Sequence, residues 1–243
     1  MTRELVRTEI RLLLREPVVL VVALLFPMLM MALLLASFGD NDSEAFLGLG
    51  GATFYVTSYL AATVAAMGFM GTPTHVAAYR AGGVLRRFRA AGVPAAGIVL
   101  SQMAVTAVLS VAGAGIMLAM AGAGWDLEAP DSAAGVVLGF ADGVAAFAAA
   151  GVLLGTLLPT ARAAQGLGLV LFFGTFFLVG GGPPPEDLPD GLRTVAGWTP
   201  TGLLVDAIRE PWSGGGHDAA ALLALAGTAA ACAVLAVRRL SST

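Results

Sequence analysis

The sequence predicts an all-α membrane protein with six transmembrane helices, on three observations. The 243 residues are 58% hydrophobic and only 12% charged, with a mean hydropathy of +0.86. A soluble domain usually carries about 25% charged residues. Six apolar stretches, at about 17–38, 49–72, 94–122, 133–158, 163–182 and 218–237, are of a length to cross a bilayer, since ~20 residues at ~1.5 Å rise span the hydrocarbon. The cations are also partitioned: all thirteen are arginine, and eleven fall on one side of the predicted membrane. Arg3, Arg7, Arg11 and Arg15 precede the first span, and Arg80, Arg86, Arg87 and Arg89 separate the second from the third. Arg162 separates the fourth from the fifth, and Arg238 and Arg239 follow the sixth. Only Arg193 and Arg209 lie on the other side. Arginine-rich loops stay in the cytoplasm, so both termini are expected there.

Carboxylates run the other way. Asp40, Asp42, Glu44, Asp126, Glu128, Asp131 and six more between Glu186 and Asp218 face outward, against Glu4, Glu9 and Glu16 inside. Trp125, Trp198 and Trp212 all fall near outer span ends, as an interfacial belt requires. The first apolar run is too long for a cleavable signal peptide and follows a charged lead. The single cysteine, Cys232, excludes an internal disulfide and reads as a small apolar residue within a span.

Taken in order, residues 1–16 are expected to form an amphipathic helix on the membrane surface. Arg3, Arg7, Arg11 and Arg15 recur every fourth position and share one arc, beside Val6, Ile10 and Leu13. Glu9 and Glu16 interrupt the apolar side, and a solvated lead-in that only sets topology is the competing reading. Pro17 suits the break before the first span.

The 73–93 loop mixes arginines with Val84, Leu85 and Phe88, an amphipathic pattern that begins or is interrupted at Gly82-Gly83. Its apolar edge is expected to dock on a cytoplasmic partner; a purely membrane-facing helix is the alternative. In the fourth span, Gly135, Gly139, Gly143, Gly151 and Gly155 make a flat stripe suited to close helix packing.

After the fifth span, Gly180–Gly182 and Pro183–Pro185 stop the helix. Two semi-apolar pieces follow, at about 187–197 and 200–210, each too short to span. The 183–216 segment is therefore expected to be an outer re-entrant hairpin, covered by protein or facing a wet cavity.

The absence of lysine rules out a GxxxxGK[ST] phosphate loop, so no ATP hydrolysis is expected through that motif. His75 and His217 lie on opposite predicted sides, which argues against a metal site. No GxSxG elbow or other nucleophile motif is present. Neither a bound cofactor nor a nucleic-acid partner is expected.

Asp142 is the one ionisable residue well inside a span. It either lines a substrate or cation path, or is protonated or hydrogen-bonded within the helix bundle. Ser101, Gln102, Thr106 and Gln165 suit interhelical hydrogen bonds. Phe172, Phe173, Phe176 and Phe177 form an aromatic block in the fifth span, either packing core or an apolar wall for a hydrophobic substrate. With Tyr55, Tyr59 and Asp142 they are the candidate translocation path.

Three segments, in this order, carry a family resemblance. LLLREPVVLVVALLFPMLM opens the chain's first span, YRAGGVLRRFRAAGVPAAGIVLSQ joins spans two and three, and FFLVGGGPPPEDLPDGLRTVAGWTPTGLLVDAIRE follows span five. Together they resemble the permease subunits of type-2 ATP-binding-cassette (ABC-2) transporters, over nearly the whole length. The resemblance implies a half-transporter in a bacterial plasma membrane, paired with a second copy or a paralogous permease and with two ATPase subunits. ATP and Mg would be used by the ATPase, not by this chain. Coupling would run through Arg80, Val84, Leu85, Arg86, Arg87, Phe88 and Arg89 and through the 1–16 helix. The path would lie at the dimer interface, beside spans one, two and five, under the outer re-entrant segment.

One departure is Ala81 before Gly82-Gly83, where many members carry an acidic residue; this leaves the polarity of the ATPase contact open. The loop pattern resembles the drug and antibiotic exporters, with an amphiphilic or hydrophobic cargo. A lipid or glycan exporter is the nearest rival. An ion-coupled secondary transporter would show two related halves and several buried charges. A non-transporting scaffold would use the cationic loop to bind lipid or a structural partner.

Overall fold

The structure, a computed structural model, describes residues 25–40, 46–47, 49–125, 127–182 and 189–242. The expected surface helix with Arg3, Arg7, Arg11 and Arg15, and the 17–24 part of the first span, lie outside the described residues. Among the described residues the ordered elements are all helical.

Helix α1 (Phe26–Phe38) is apolar and 13 residues long, with Pro27 near its start. Helix α2 (Gly51–Ala81, 31 residues) is the axis of the fold. Every residue from Gly51 to Ala77 is buried, and α1 packs against it together with further helices introduced below.

Hydropathy ends this span at 72, yet the helix continues past Pro73 to Ala81. A five-residue π segment, Met67–Gly71, stands directly before it and widens the backbone by one residue per turn. That segment accommodates a proline whose ring would otherwise meet the carbonyl four residues back. Pro73 then occupies the first turn of the renewed α-helix Thr72–Ala81.

Gly83 (φ +68°) turns the chain into the short α3 (Val84–Ala90). A side chain there would have room, so the left-handed backbone is what calls for glycine. Helix α4 (Ala95–Gly124) runs back to the opposite end. Helix α5 (Ala133–Leu157) is capped by Ser132, whose Oγ accepts the Gly135 N–H. Helix α6 (Ala161–Phe176) is capped likewise by Thr160 and closes in a 3₁₀ turn, Phe177–Val179.

Two short helices follow, α7 (Asp190–Trp198) and α8 (Pro200–Trp212), close to the pieces expected at 187–197 and 200–210. Helix α9 (Ala219–Ser242) begins with the Asp218 carboxylate accepting the Ala220 and Ala221 N–H groups. Besides α1, the helices that pack on α2 include α3, α4, α5, α6 and α8.

Among the described residues, five helical stretches are long and apolar enough to cross a membrane: α2, α4, α5, α6 with its 3₁₀ turn, and α9. Helix α1 is apolar but shorter.

The glycine stripe of α5 sets how closely these helices approach. A Cβ on Gly139 would overlap the Ala207 backbone, and one on Gly143 the Leu204 side chain. A Cβ on Gly151 would lie 2.5 Å from the Gly68 carbonyl, and one on Gly155 2.6 Å from Val76 Cβ. One half of the stripe thus seats α8 and the other half seats α2.

The polar residues of α4 divide. Thr106 shares a 2.6 Å hydrogen bond with Thr72 of α2, the expected interhelical link. Gln102 is buried too, but its Nε2 meets no partner among the described residues.

Seven of the nine described arginines gather at one end of the bundle: Arg80, Arg86, Arg87, Arg89, Arg162, Arg238 and Arg239. At the other end, Trp125 sits against Gly39, and Trp198 is 81% exposed. Trp212, by contrast, is buried and donates its Nε1–H to the Glu128 carbonyl at 3.1 Å, so it anchors a loop instead of facing lipid.

Candidate functional site: the coupling face, the aromatic cluster and a buried arginine

At the arginine-rich end, α3 folds with its apolar side inward. Leu85 is buried, and Val84 and Phe88 flank it. They pack on Val76 and Tyr79 of α2, Ile98 and Val99 of α4, Val152 of α5, and Ala236 and Leu240 of α9. The apolar edge that the sequence offers to a partner is therefore covered by the chain itself. The outward face of α3 is Arg86, Arg87 and Arg89, all exposed.

Arg80, half-buried at the end of α2, donates from Nη1 to the Thr156 carbonyl at 2.6 Å and to the Leu158 carbonyl at 3.3 Å. These carbonyls close the C-terminus of α5, where helical acceptors are left over and the dipole favours a cation. Arg87 Nη2 donates to the Gly82 carbonyl at 3.1 Å, and Arg89 Nη2 reaches the Ser241 carbonyl at 3.4 Å. A cavity of about 230 Å³ lies among Arg80, Arg86, Arg89, Leu85, Ile98, Thr156 and Leu240.

The candidate path residues fall into three places. Phe172 and Phe176 are buried and meet Phe26 of α1 at ring distances of 6.3 and 6.0 Å. Phe173 lies 5.3 Å from the same ring, and Phe177, half-exposed, stacks on Phe173. Tyr59 joins this cluster through Phe176 at 5.4 Å, and its hydroxyl donates to the Gly181 carbonyl at 2.8 Å. Tyr55 belongs to a neighbouring group with Phe38, Phe46 and Phe54. Asp142 stands apart, half-buried on α5, and no hydrogen bond, ion pair or ring contact among the described residues ties it to the aromatics. The aromatic residues therefore form two groups, one joining Tyr59 and the α6 phenylalanines to Phe26 of α1 and the other around Tyr55, neither of them including the carboxylate.

At the far end the structure brings in a residue that the topology count had assigned to the outside. Arg209 of α8 is only 8% exposed. Its Nη2 donates to Ser58 Oγ at 2.6 Å and its Nε to Thr57 Oγ1 at 3.3 Å, while its guanidinium carbon lies 4.5 Å over the Phe54 ring. Both hydroxyls spend their protons on backbone carbonyls of α2, which aims their lone pairs at the arginine. Burial lowers the Arg209 pKa to about 10, with Asp206 opposing the shift, so it remains a cation at neutral pH.

Its signal in the sequence was the adjacent hydroxyl pair, Thr57-Ser58, in a span whose other hydroxyls are not paired in sequence. Among the described residues no group of histidines, cysteines and carboxylates is placed to hold a metal ion.

A family model described as ABC-2 family transporter protein matches residues 37–238. The chain belongs to the ABC-2 transporter family. No curated protein and no solved structure matches it.

This ABC-2 permease is thus a multi-pass membrane transport subunit, not itself an enzyme, and membership implies association with an ABC ATPase. The match takes in α3, the phenylalanines of α6 and the Arg209 contact.

Proposed function

We propose that this permease forms, with a second copy or a paralogous permease, an export path for an amphiphilic or hydrophobic small molecule of drug or antibiotic type. Two ABC ATPase subunits, which bind the ATP and Mg, drive it from the cytoplasmic side of a bacterial plasma membrane. The six spans leave both termini on that side, and α7 and α8 are the outer re-entrant hairpin.

The observation that carries this reading is the seating of α3. Its apolar face is wedged among the ends of α2, α4, α5 and α9, so force applied to its arginine face reaches four helices at once. Interiors are close-packed and transmit displacement with little compression. Phe173 and Phe177, the accessible members of the aromatic cluster, supply an apolar surface along which such a cargo can slide.

A second reading, export of a lipid, is favoured by an apolar groove of about 450 Å³ between α4 and α5, lined by residues such as Met103, Val111, Phe140 and Val144. The test is transport into proteoliposomes holding this chain and the ATPase encoded beside its gene. ATP-dependent accumulation of lipophilic drugs supports the first reading. Accumulation of fluorescent phospholipid alone supports the second. ATP-independent uptake driven by a proton gradient sinks both.

A further inference from the structure

We infer that the cavity beneath α3 is a socket for a carboxylate side chain of the partner ATPase, so that this permease contributes the cationic half of the coupling contact. The inference rests on the reading above, in which α3 is the element the ATPase engages.

Three guanidinium-bearing residues, Arg80, Arg86 and Arg89, line a single cavity of about 230 Å³. Arg80 is fixed by two carbonyls at the end of α5, and Arg89 leans on the Ser241 carbonyl. Their positions are therefore set by the fold before any ligand arrives. Every described carboxylate (Asp40, Glu128, Asp131, Asp142, Asp190, Asp206, Glu210 and Asp218) lies in the opposite half of the molecule. The floor of the cavity is apolar, made by Leu85, Ile98 and Leu240, which lowers the local dielectric and strengthens attraction for a desolvated anion. Arginine forks pair bidentately with carboxylates, and several forks around one pocket favour an acidic side chain strongly.

A lipid phosphate is the competing anion. Helix α2 has 31 residues, which at ~1.5 Å per residue makes ~46 Å, as long as a whole bilayer with its headgroups at ~40–45 Å. Helix α3, attached beyond its end, therefore faces the aqueous side, which favours a soluble partner.

The experiment co-expresses the full chain with the ATPase encoded beside its gene and purifies through a tag on this chain. The Arg86→Glu, Arg89→Glu double variant is expected to retain at least tenfold less ATPase than the parent. A charge-matched control at the same end, Arg162→Glu with Arg238→Glu, is expected to stay within twofold, and Arg86→Lys with Arg89→Lys to keep most of the binding.

If the parent itself retains no ATPase, the functional reading falls and the inference with it. If the parent retains ATPase and the glutamate pair does so equally, the inference alone is overturned. Equal loss in the control pair overturns the socket in favour of the general charge of this end. Retained ATPase with loss of bound phosphatidylglycerol, counted by native mass spectrometry, overturns it in favour of lipid. Equal loss of ATPase on Glu4→Gln, Glu9→Gln, Glu16→Gln would name the chain's own carboxylates as the occupants and overturn it as well.

Discussion

The two ends of α2 are each held by an arginine, and the two are used in opposite ways. Arg80 is half-buried and donates to leftover backbone carbonyls at the end of α5, beside a cavity that holds further guanidiniums. Arg209 is buried, bonded to two side-chain hydroxyls and laid over a ring, with no carboxylate among the described residues within ion-pair distance. One end exposes Arg86, Arg87 and Arg89 on the face of α3; the other commits its cation to internal structure. An arginine count from the sequence cannot tell these two environments apart.

The comparison yields predictions of decreasing size. Gly139→Leu is expected to do the most damage, since even a Cβ there overlaps the Ala207 backbone. Loss of the monodisperse peak on size exclusion in detergent is the readout, and Gly166→Leu, where a side chain meets open space, should keep that peak.

Next comes the Arg209 end. Arg209→Ala should cost about 2–4 kcal/mol, from a cavity plus lost charge-assisted bonds. The Thr57→Val, Ser58→Ala double variant should cost a similar amount, because it strands a buried charge. All three changes together should cost much less than the sum, as a double-mutant cycle in denaturant would show. Additive costs would mean that the latch does not act as a unit.

Arg80→Ala should cost about 1 kcal/mol, the usual worth of a cation on a helix C-terminus. Arg87→Ala, on the exposed face of α3, should leave thermal stability unchanged. A larger loss at Arg87 than at Arg80 would erase the distinction between the ends.

Much of the bundle was legible. Hydropathy located the spanning helices because a bilayer imposes a minimum apolar length, and the spacing of Gly135, Gly139, Gly143, Gly151 and Gly155 announced the packing face of α5. The two short helices after span five were visible because Pro183–Pro185 and Gly214–Gly216 bracket them.

The direction of α3 was not legible. An amphipathic pattern shows that Val84, Leu85 and Phe88 share an edge, but not which surface covers it, and the ends of α2, α4, α5 and α9 come together only in the folded chain. Arg209 escaped notice because its partners, Thr57 and Ser58, lie some 150 positions away. That the helix of span two runs on past its apolar stretch to Ala81 was not legible either, because nothing local announces that a π turn will absorb Pro73.

That π turn also sets a phase relation along α2. Five residues from Met67 to Gly71 are wound with one more residue per turn than the α-helix on either side. One residue corresponds to about 100° of α-helical rotation. The half carrying Tyr55 and Tyr59 and the half carrying His75 and Arg80 are thus out of step with a single helical wheel by roughly a quarter turn. Deleting one residue from the π segment would leave an apolar helix of ordinary pitch while turning Arg80 away from the end of α5. In this chain, the azimuth of the arginine-rich end of α2 is encoded by a length, one residue in excess, and not by the identity of any side chain.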